Sequence, residues 1–408
     1  MFYNGGHDRA IAQVDDILVK TRGSDAPALQ LASIISERCV RRGGKKLVVK
    51  QRAIAWNGRS FLRSPDRVTL TVSMHASVEA SVAHWLPELA RTGIVPAHVP
   101  KDAELRRLCD SLTLAADEGK KLTTEQSDVQ KLTGELRWQL NVVIHIARHV
   151  HRLSCIAARP QCPDAMRVAL GTLAYAWEVR NCGLTYGGEF GTIPLMGILR
   201  GTLEGGKSGR AIQTVNPAAI TLNAPEELMA VSDATWNLMN NDGVVADVLA
   251  FALTHRGAAI HIELKNAGAS GSSAGQEGLA ILKCTDKLIR AREVLAACGA
   301  PQDAATLLMS DSDPALRTAA GESTAARTRH DLRRTAIVTG RVRDGECTLA
   351  HIPDEGNMVD WMTKWVKSEK LRNSLEFLTG ERSRLLHMAN EATIAAFHAM
   401  VSRVRSWI

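Results

Sequence analysis

Four acidic residues in the second half of the chain, Asp233, Glu277, Asp311 and Asp360, have the types and placing that could do chemistry. Asp233 closes the apolar run LMAVSD, and Glu277 lies in the first turns of AGQEGLAILKCTDKLIRAREVLAACG. Asp311 ends AATLLMSD, and Asp360 stands near the start of MVDWMTKWV. Each falls at the edge of a candidate strand or helix, where a shared site can form. Carboxylates brought together repel unless a cation holds them, so a common site would be one for Mg²⁺ or Mn²⁺. Two such ions could activate a water and stabilise the leaving oxygen of a phosphodiester. Spacing alone also allows four unrelated, solvated surface acids.

Other candidates carry weaker chemistry. Asp15 and Asp16 lie between the strand-like runs AIAQV and ILVK, at or near the turn of a hairpin, where Asp is also an ordinary turn residue. GTLEGGKS, from Gly201 to Ser208, satisfies the phosphate-binding pattern G-x-x-x-x-G-K-[ST] with Lys207. That loop needs a strand before it and a helix after it, and Gly209 and Pro217 make the following segment a poor helix. A chance match is the better reading, with nucleotide binding the alternative. His145 and His149 have the i, i+4 spacing of zinc ligands but lack the Glu of H-E-x-x-H, so they read as an ordinary pair. Trp138, Tyr175 and Trp177 sit in amphipathic helical settings that favour packing over base stacking.

A chain of 408 residues has room for two or three domains. No apolar run reaches the length of a membrane span and the start lacks a signal peptide, so the expectation is an intracellular protein, cytoplasmic or nuclear, with no membrane partner. Eight cysteines without Cys-x-x-Cys spacing read as reduced, mostly buried thiols. The net charge is +7, but residues 226–367 hold 19 acids and 15 bases, leaving 35 bases and 24 acids elsewhere. The basic surface therefore lies outside that block, and it suits a polyanion.

The elements needed to position the acids can be read from periodicity. Upstream, AIAQV, KKLVV and RVTLTVSM read as strands and APALQLASIISERC as a helix, followed by helical patterns from Glu79 to about Cys109 and from LTTEQSD to Trp177. After a Gly-rich stretch, strands come first and then alternate with helices, which describes a mixed sheet with helices packed on it. The tail from Ser368 reads as an amphipathic helix.

VSDATW resembles the SDADWA opening of the ribonuclease H domain in copia-type retrotransposon Pol polyproteins, and RGAAIHIELKNAGASGSSAGQEGLAIL is similar to GGAISWKSKKQ…SSTEAEYIAL. MSDSDPALR is similar to CDNQAAI, TRHDLRRTAIVTGRVRDGE to KHIDIRYHFVREKVEDGE, and HIPDEGNMVDWMTK to VPTEDQLADILTK. Order and intervals agree. QKLTGELRW and the segment to NCGLTY resemble the family's connecting region, and QVDDILV resembles the polymerase motif YVDDILV. Gln13 replaces the usual Tyr, and Gly275 replaces the first Glu of SSTEAE.

The resemblance implies an α/β (α+β) chain. Residues 1–75 would be a partial reverse transcriptase palm and 76–186 a helical thumb and connection. Residues 187–225 would be a Gly-rich linker or insertion, 226–367 a ribonuclease H-like mixed five-stranded sheet with flanking helices, and 368–408 a helical tail. It implies that Asp233, Glu277, Asp311 and Asp360 are catalytic ligands of Mg²⁺ or Mn²⁺, and that Asp15 and Asp16 are a polymerase-motif remnant. His330 falls on the histidine of KHIDI. The implied partners are an RNA:DNA hybrid or other nucleic acid and the remainder of a Pol polyprotein. Hydrolysis of the RNA strand is the expected activity, and an inactive relic that only binds nucleic acid is the alternative. Only fourteen residues precede Asp15, so DNA synthesis is not expected from this chain alone.

Overall fold

The computed structural model describes residues 2–3, 9–13, 16–20, 30, 33, 53–65, 68–94, 124–157, 164–187, 199–202, 212–215, 227–236, 247–267, 272–322 and 329–380. Within 2–20, 199–202 and 329–334 the description is of the backbone. Strands β1 (Phe2–Tyr3), β2 (Arg9–Gln13) and β3 (Asp16–Lys20) form an antiparallel sheet. Gln13 pairs with Asp16, so the expected hairpin is present and Asp16 opens its second strand; Asp15, KKLVV and most of APALQLASIISERC lie outside the described residues.

A second sheet joins β4 (Ala53–Trp56), β5 (Arg59–Arg63), β6 (Thr69–Ser73) and β7 (Leu184–Gly187). Asn57 and Gly58 make the β4–β5 turn at φ 50° and 69°, the left-handed pair that a two-residue hairpin requires and that Asn-Gly supplies at least cost. Between β6 and β7 run the helices α1 (His75–Thr92), α2 (Thr124–Gln139), α3 (Ala147–Ile156) and α4 (Ala165–Glu178), with a 3₁₀ turn at Ile144–Ile146.

The third sheet orders its strands β12-β11-β10-β13-β14-β9-β8. Here β8 is Leu199–Thr202, β9 Gln213–Val215, β10 Met229–Ala234, β11 Val248–His255, β12 Ala258–Asn266, β13 Thr306–Ser310 and β14 Cys347–His351. The pairs β10–β11 and β11–β12 are antiparallel, whereas β10–β13 and β13–β14 are parallel. The sheet thus has seven strands where five are expected, because residues read as a linker supply β8 and β9. Ala350 and His351 pair with Gln213 and Thr214, and Val215 is fully buried, so the edge of β14 is covered. These strands are three or four residues long, too short to show a period.

Alternate residues of the central strands enter two cores. Met229, Val231, Leu307 and Met309 share one core with Val150 of the helical region and with Trp361. Ala230, Phe251, Leu308 and Leu349 enter the other, against α5 (Ser273–Ala297), α6 (Asp313–Ala319) and α7 (Arg329–Arg343). Burial on both faces explains why these strands read as continuous apolar runs.

The late helix α8 runs only from Asp360 to Thr363, because Lys364 adopts extended geometry at φ −136° and ψ 161°. It is followed by α9 (Ser368–Thr379), which ends on Gly380 at φ 70°. A Cβ at Gly380 would overlap the carbonyl oxygen of Thr185 and press on that of Gly257. Gly380→Ala is therefore expected to cost about 3 kcal/mol or more, seen as a lowered thermal midpoint, whereas at Gly93, where a Cβ would meet nothing, only the strain of φ 71° remains.

Candidate metal centre

Parallel pairing of β10 with β13 puts Asp233, near the end of β10, beside Asp311, the residue after β13. Asp233 continues the Met229–Val231 row and so faces α8, whose first residue is Asp360. Glu277 arrives from the opposite face. Ser272 caps α5 by accepting the Gly275 N–H at 3.1 Å, which directs the first turns of the helix to the same sheet edge. Gln276 is anchored there by donating to Asp247 Oδ2 at 2.6 Å.

Carboxylate oxygens of Asp233, Asp311 and Asp360 all lie within 4.8 Å of one another. Glu277 stands at the margin of this trio, its Oε1 accepting the Ala234 N–H at 3.2 Å. All four expected acids thus reach one sheet edge, three of them at common-ligand distance. Asp233 and Asp360 are each 1% exposed, in contrast to the surface placing that spacing alone allows.

Burial pushes the Asp233 carboxyl up to about 7, with the charges of Asp311 and Asp360 adding to it and the Thr363 hydrogen bond opposing. Burial, then the charges of Asp233 and Asp311, push Glu277 up to about 9. Asp311 is also raised, by burial first, against a hydrogen bond from Asn357. Glu277 Oε2 is buried and accepts no hydrogen bond among the described residues. An all-oxygen donor set with an orphaned buried oxygen fits a hard divalent cation such as Mg²⁺ or Mn²⁺.

Several residues at the site are not evident from sequence. Thr363 Oγ1 donates to Asp233 Oδ2 and lies 2.9 Å from the Asp360 carbonyl oxygen, while Asn357 Nδ2 donates to Asp233 Oδ1 at 3.5 Å. Lys364 and Lys370 both contact the Asp360 carboxylate. Only Lys364 had a local signal, an acid-to-base step of four residues. Lys370 comes from α9, and nothing in its surroundings in sequence marks it.

The other candidates do not converge on this edge. Gly201 and Thr202 lie within β8, whose antiparallel partner is β9 (Gln213–Val215), so the next described element is a strand and not the helix a phosphate loop requires. Lys207 and Ser208 lie outside the described residues. His145 sits in the 3₁₀ turn and His149 in α3; burial lowers His145 to about 4, and neither belongs to a metal-type cluster among the described residues. Trp138 lies under the Arg59 guanidinium, Tyr175 meets the His149 ring and Trp177 stacks on Arg180, all as packing contacts. Of the five described cysteines, Cys284 and Cys347 are buried and Cys155, Cys182 and Cys298 half-buried. No helix among the described residues is long and apolar enough to cross a membrane.

The fold is mixed α/β, with helices packed on a seven-stranded mixed sheet. No protein-family model matches the sequence, and no curated protein matches it. Among solved structures the chain is similar to LC11-RNase H1, isolated from compost by a metagenomic approach, at 14% identity over 37% of this chain and 96% of that one, with TM-score 0.27. It is similar to RNase H1 of the halophilic archaeon Halobacterium salinarum NRC-1 at 19% identity over 32% and 88%, TM-score 0.23. It is also similar to a foamy viral protease-reverse transcriptase in complex with RNA/DNA hybrid, at 10% identity over 88% of this chain and 37% of that one, TM-score 0.39. The chain spans a little over a third of that viral protein.

Proposed function

We propose that this protein hydrolyses the RNA strand of RNA:DNA hybrids at the carboxylate cluster, as the ribonuclease H portion of a copia-type retrotransposon reverse transcriptase. The observation that carries the reading is the meeting of Asp233, Asp311 and Asp360 within 4.8 Å, with Glu277 alongside, from four segments remote in sequence. Asp233, Asp311, Asp360 and the buried Oε2 of Glu277 would hold the divalent cations. Such ions, when bound, lower the pKa of water and offset charge on a phosphodiester. Thr363 and Asn357 fix the plane of the Asp233 carboxylate, and the Ala234 N–H fixes Glu277. The hybrid would be recognised through phosphates and ribose 2′-hydroxyls, and the basic surplus outside residues 226–367 makes its binding strongly salt-dependent. Asp15 and Asp16 belong, on this reading, to the hairpin of a reverse transcriptase palm.

The test is cleavage of a labelled hybrid in Mg²⁺ by the full chain. Asp311→Asn is expected to abolish cleavage while leaving the circular dichroism spectrum and hybrid binding in place. Hybrid binding by the unaltered chain without cleavage would identify a nucleic-acid-binding relic, and retained cleavage by Asp311→Asn would remove the site.

A further inference from the structure

Asp360 differs from its three neighbours in what holds it. Neutral donors serve the others: Thr363 and Asn357 for Asp233, Asn357 for Asp311 and the Ala234 N–H for Glu277. Asp360 instead meets Lys364 at Oδ1 and Lys370 at Oδ2. Both ammonium groups also reach Asp354, at 3.2 Å from Lys364 and 3.4 Å from Lys370, closing a ring of two acids and two lysines. Lys370 is only 18% exposed and also donates to the Asp354 carbonyl oxygen. Its helix, α9, packs against β7, β12 and the 3₁₀ turn, so the helical region sets where this lysine stands.

A cation shared by Asp233, Asp311 and Asp360 would lie close to two positive charges, Lys370 at 18% exposure and Lys364 at 46%, both held against the buried Asp360 carboxylate, and like charges repel. We propose that Lys364 and Lys370 take the place of a second cation at Asp360, so that the cluster binds one divalent ion tightly, through Asp233, Asp311 and Glu277, and a second only weakly. This inference rests on the metal-site reading above and adds to it the inequality of the two positions and its cause. The lysines are positioning residues: they hold the Asp360 carboxylate in place without an ion.

Titration of the full chain with Mn²⁺, followed by calorimetry and by the electron paramagnetic resonance of free Mn²⁺, tests it. The unaltered protein is expected to show one tight and one weak site. Lys364→Gln/Lys370→Gln is expected to tighten the weak site by about tenfold or more, since two adjacent positive charges are removed. Lys370→Arg, which keeps the charge, is expected to bind as the unaltered protein does, and Lys370→Gln to fall between; these two serve if the double variant does not fold. Two equal sites in the unaltered protein, matching isotherms for all variants, or equal gains from Arg and Gln would each overturn the inference. Matching isotherms with hybrid cleavage intact would leave the nuclease reading standing. Unequal sites in a protein that cleaves no hybrid would do the reverse, and the absence of Mn²⁺ binding would overturn both.

Discussion

Asp233→Asn is expected to lower hybrid cleavage by about a thousandfold or more and, in the metal-free protein near pH 8, to raise the melting temperature. The two effects have one cause. Asp233 is 1% exposed beside Asp311 and Asp360, and its carboxyl is pushed up to about 7 by burial first and those charges second, so its ionised form is a burden on the fold without a cation. An amide of the same shape removes that burden. The surrounding hydrogen bonds can accept it: the Thr363 hydroxyl can keep its bond to the Asp360 carbonyl oxygen while receiving an N–H from the new amide, and Asn357 can continue to donate to the remaining oxygen. Loss of a charge needed for function with a gain in stability is the trade-off expected of a strained site. Parallel cleavage assays and calorimetry check it, and a variant that loses activity together with stability would show a structural role instead.

Metal-free protein is expected to lose stability as pH rises from about 5 to about 9, and millimolar Mg²⁺ is expected to cancel most of that loss. Glu277 is raised to about 9, by burial and then by Asp233 and Asp311, and Asp233 to about 7. In the unfolded chain both carboxyls ionise near pH 4. Between those limits the folded state therefore binds more protons than the unfolded state, and raising the pH favours unfolding. The protonated carboxyls' contribution is complete below about pH 4 and is lost as the pH passes through 7 and then 9. The fall in melting temperature is expected to be on the order of 10 °C. Divalent ions supply the compensating charge in place of protons, so their effect on melting should grow with pH. Glu277→Gln should flatten the upper part of the metal-free curve. A melting temperature independent of pH across this range would mean that these carboxyls are not in the environment described.

Much of the site was legible in one dimension because each acid sits where an element begins or ends, and such boundaries leave marks. Apolar runs stop at Asp233 and Asp311, and the capping residue Ser272 announces the helix that carries Glu277. The Asn57–Gly58 turn is equally local, since only a few residue types adopt its backbone angles cheaply. The short strands β8 and β9 were not legible. Three or four residues show no period, and their pairing is decided by the open edge of β14. The reach of α8 was overread for a related reason: Trp365 and Val366 pack partly buried against the core beyond Thr363, so apolar character continues where the helix does not.

By itself, then, the sequence determined which acids stand at element ends and in what order the elements come, because capping, turn geometry and hydrophobic period act over a few residues. The distances among those acids were decided only by tertiary structure, since parallel pairing of β10 with β13 brings Asp233 to Asp311 across 78 positions of chain. The same holds for the lysines on Asp360. Lys370 stands at that carboxylate on a helix that packs against β7 and β12, contacts between segments that no local pattern records.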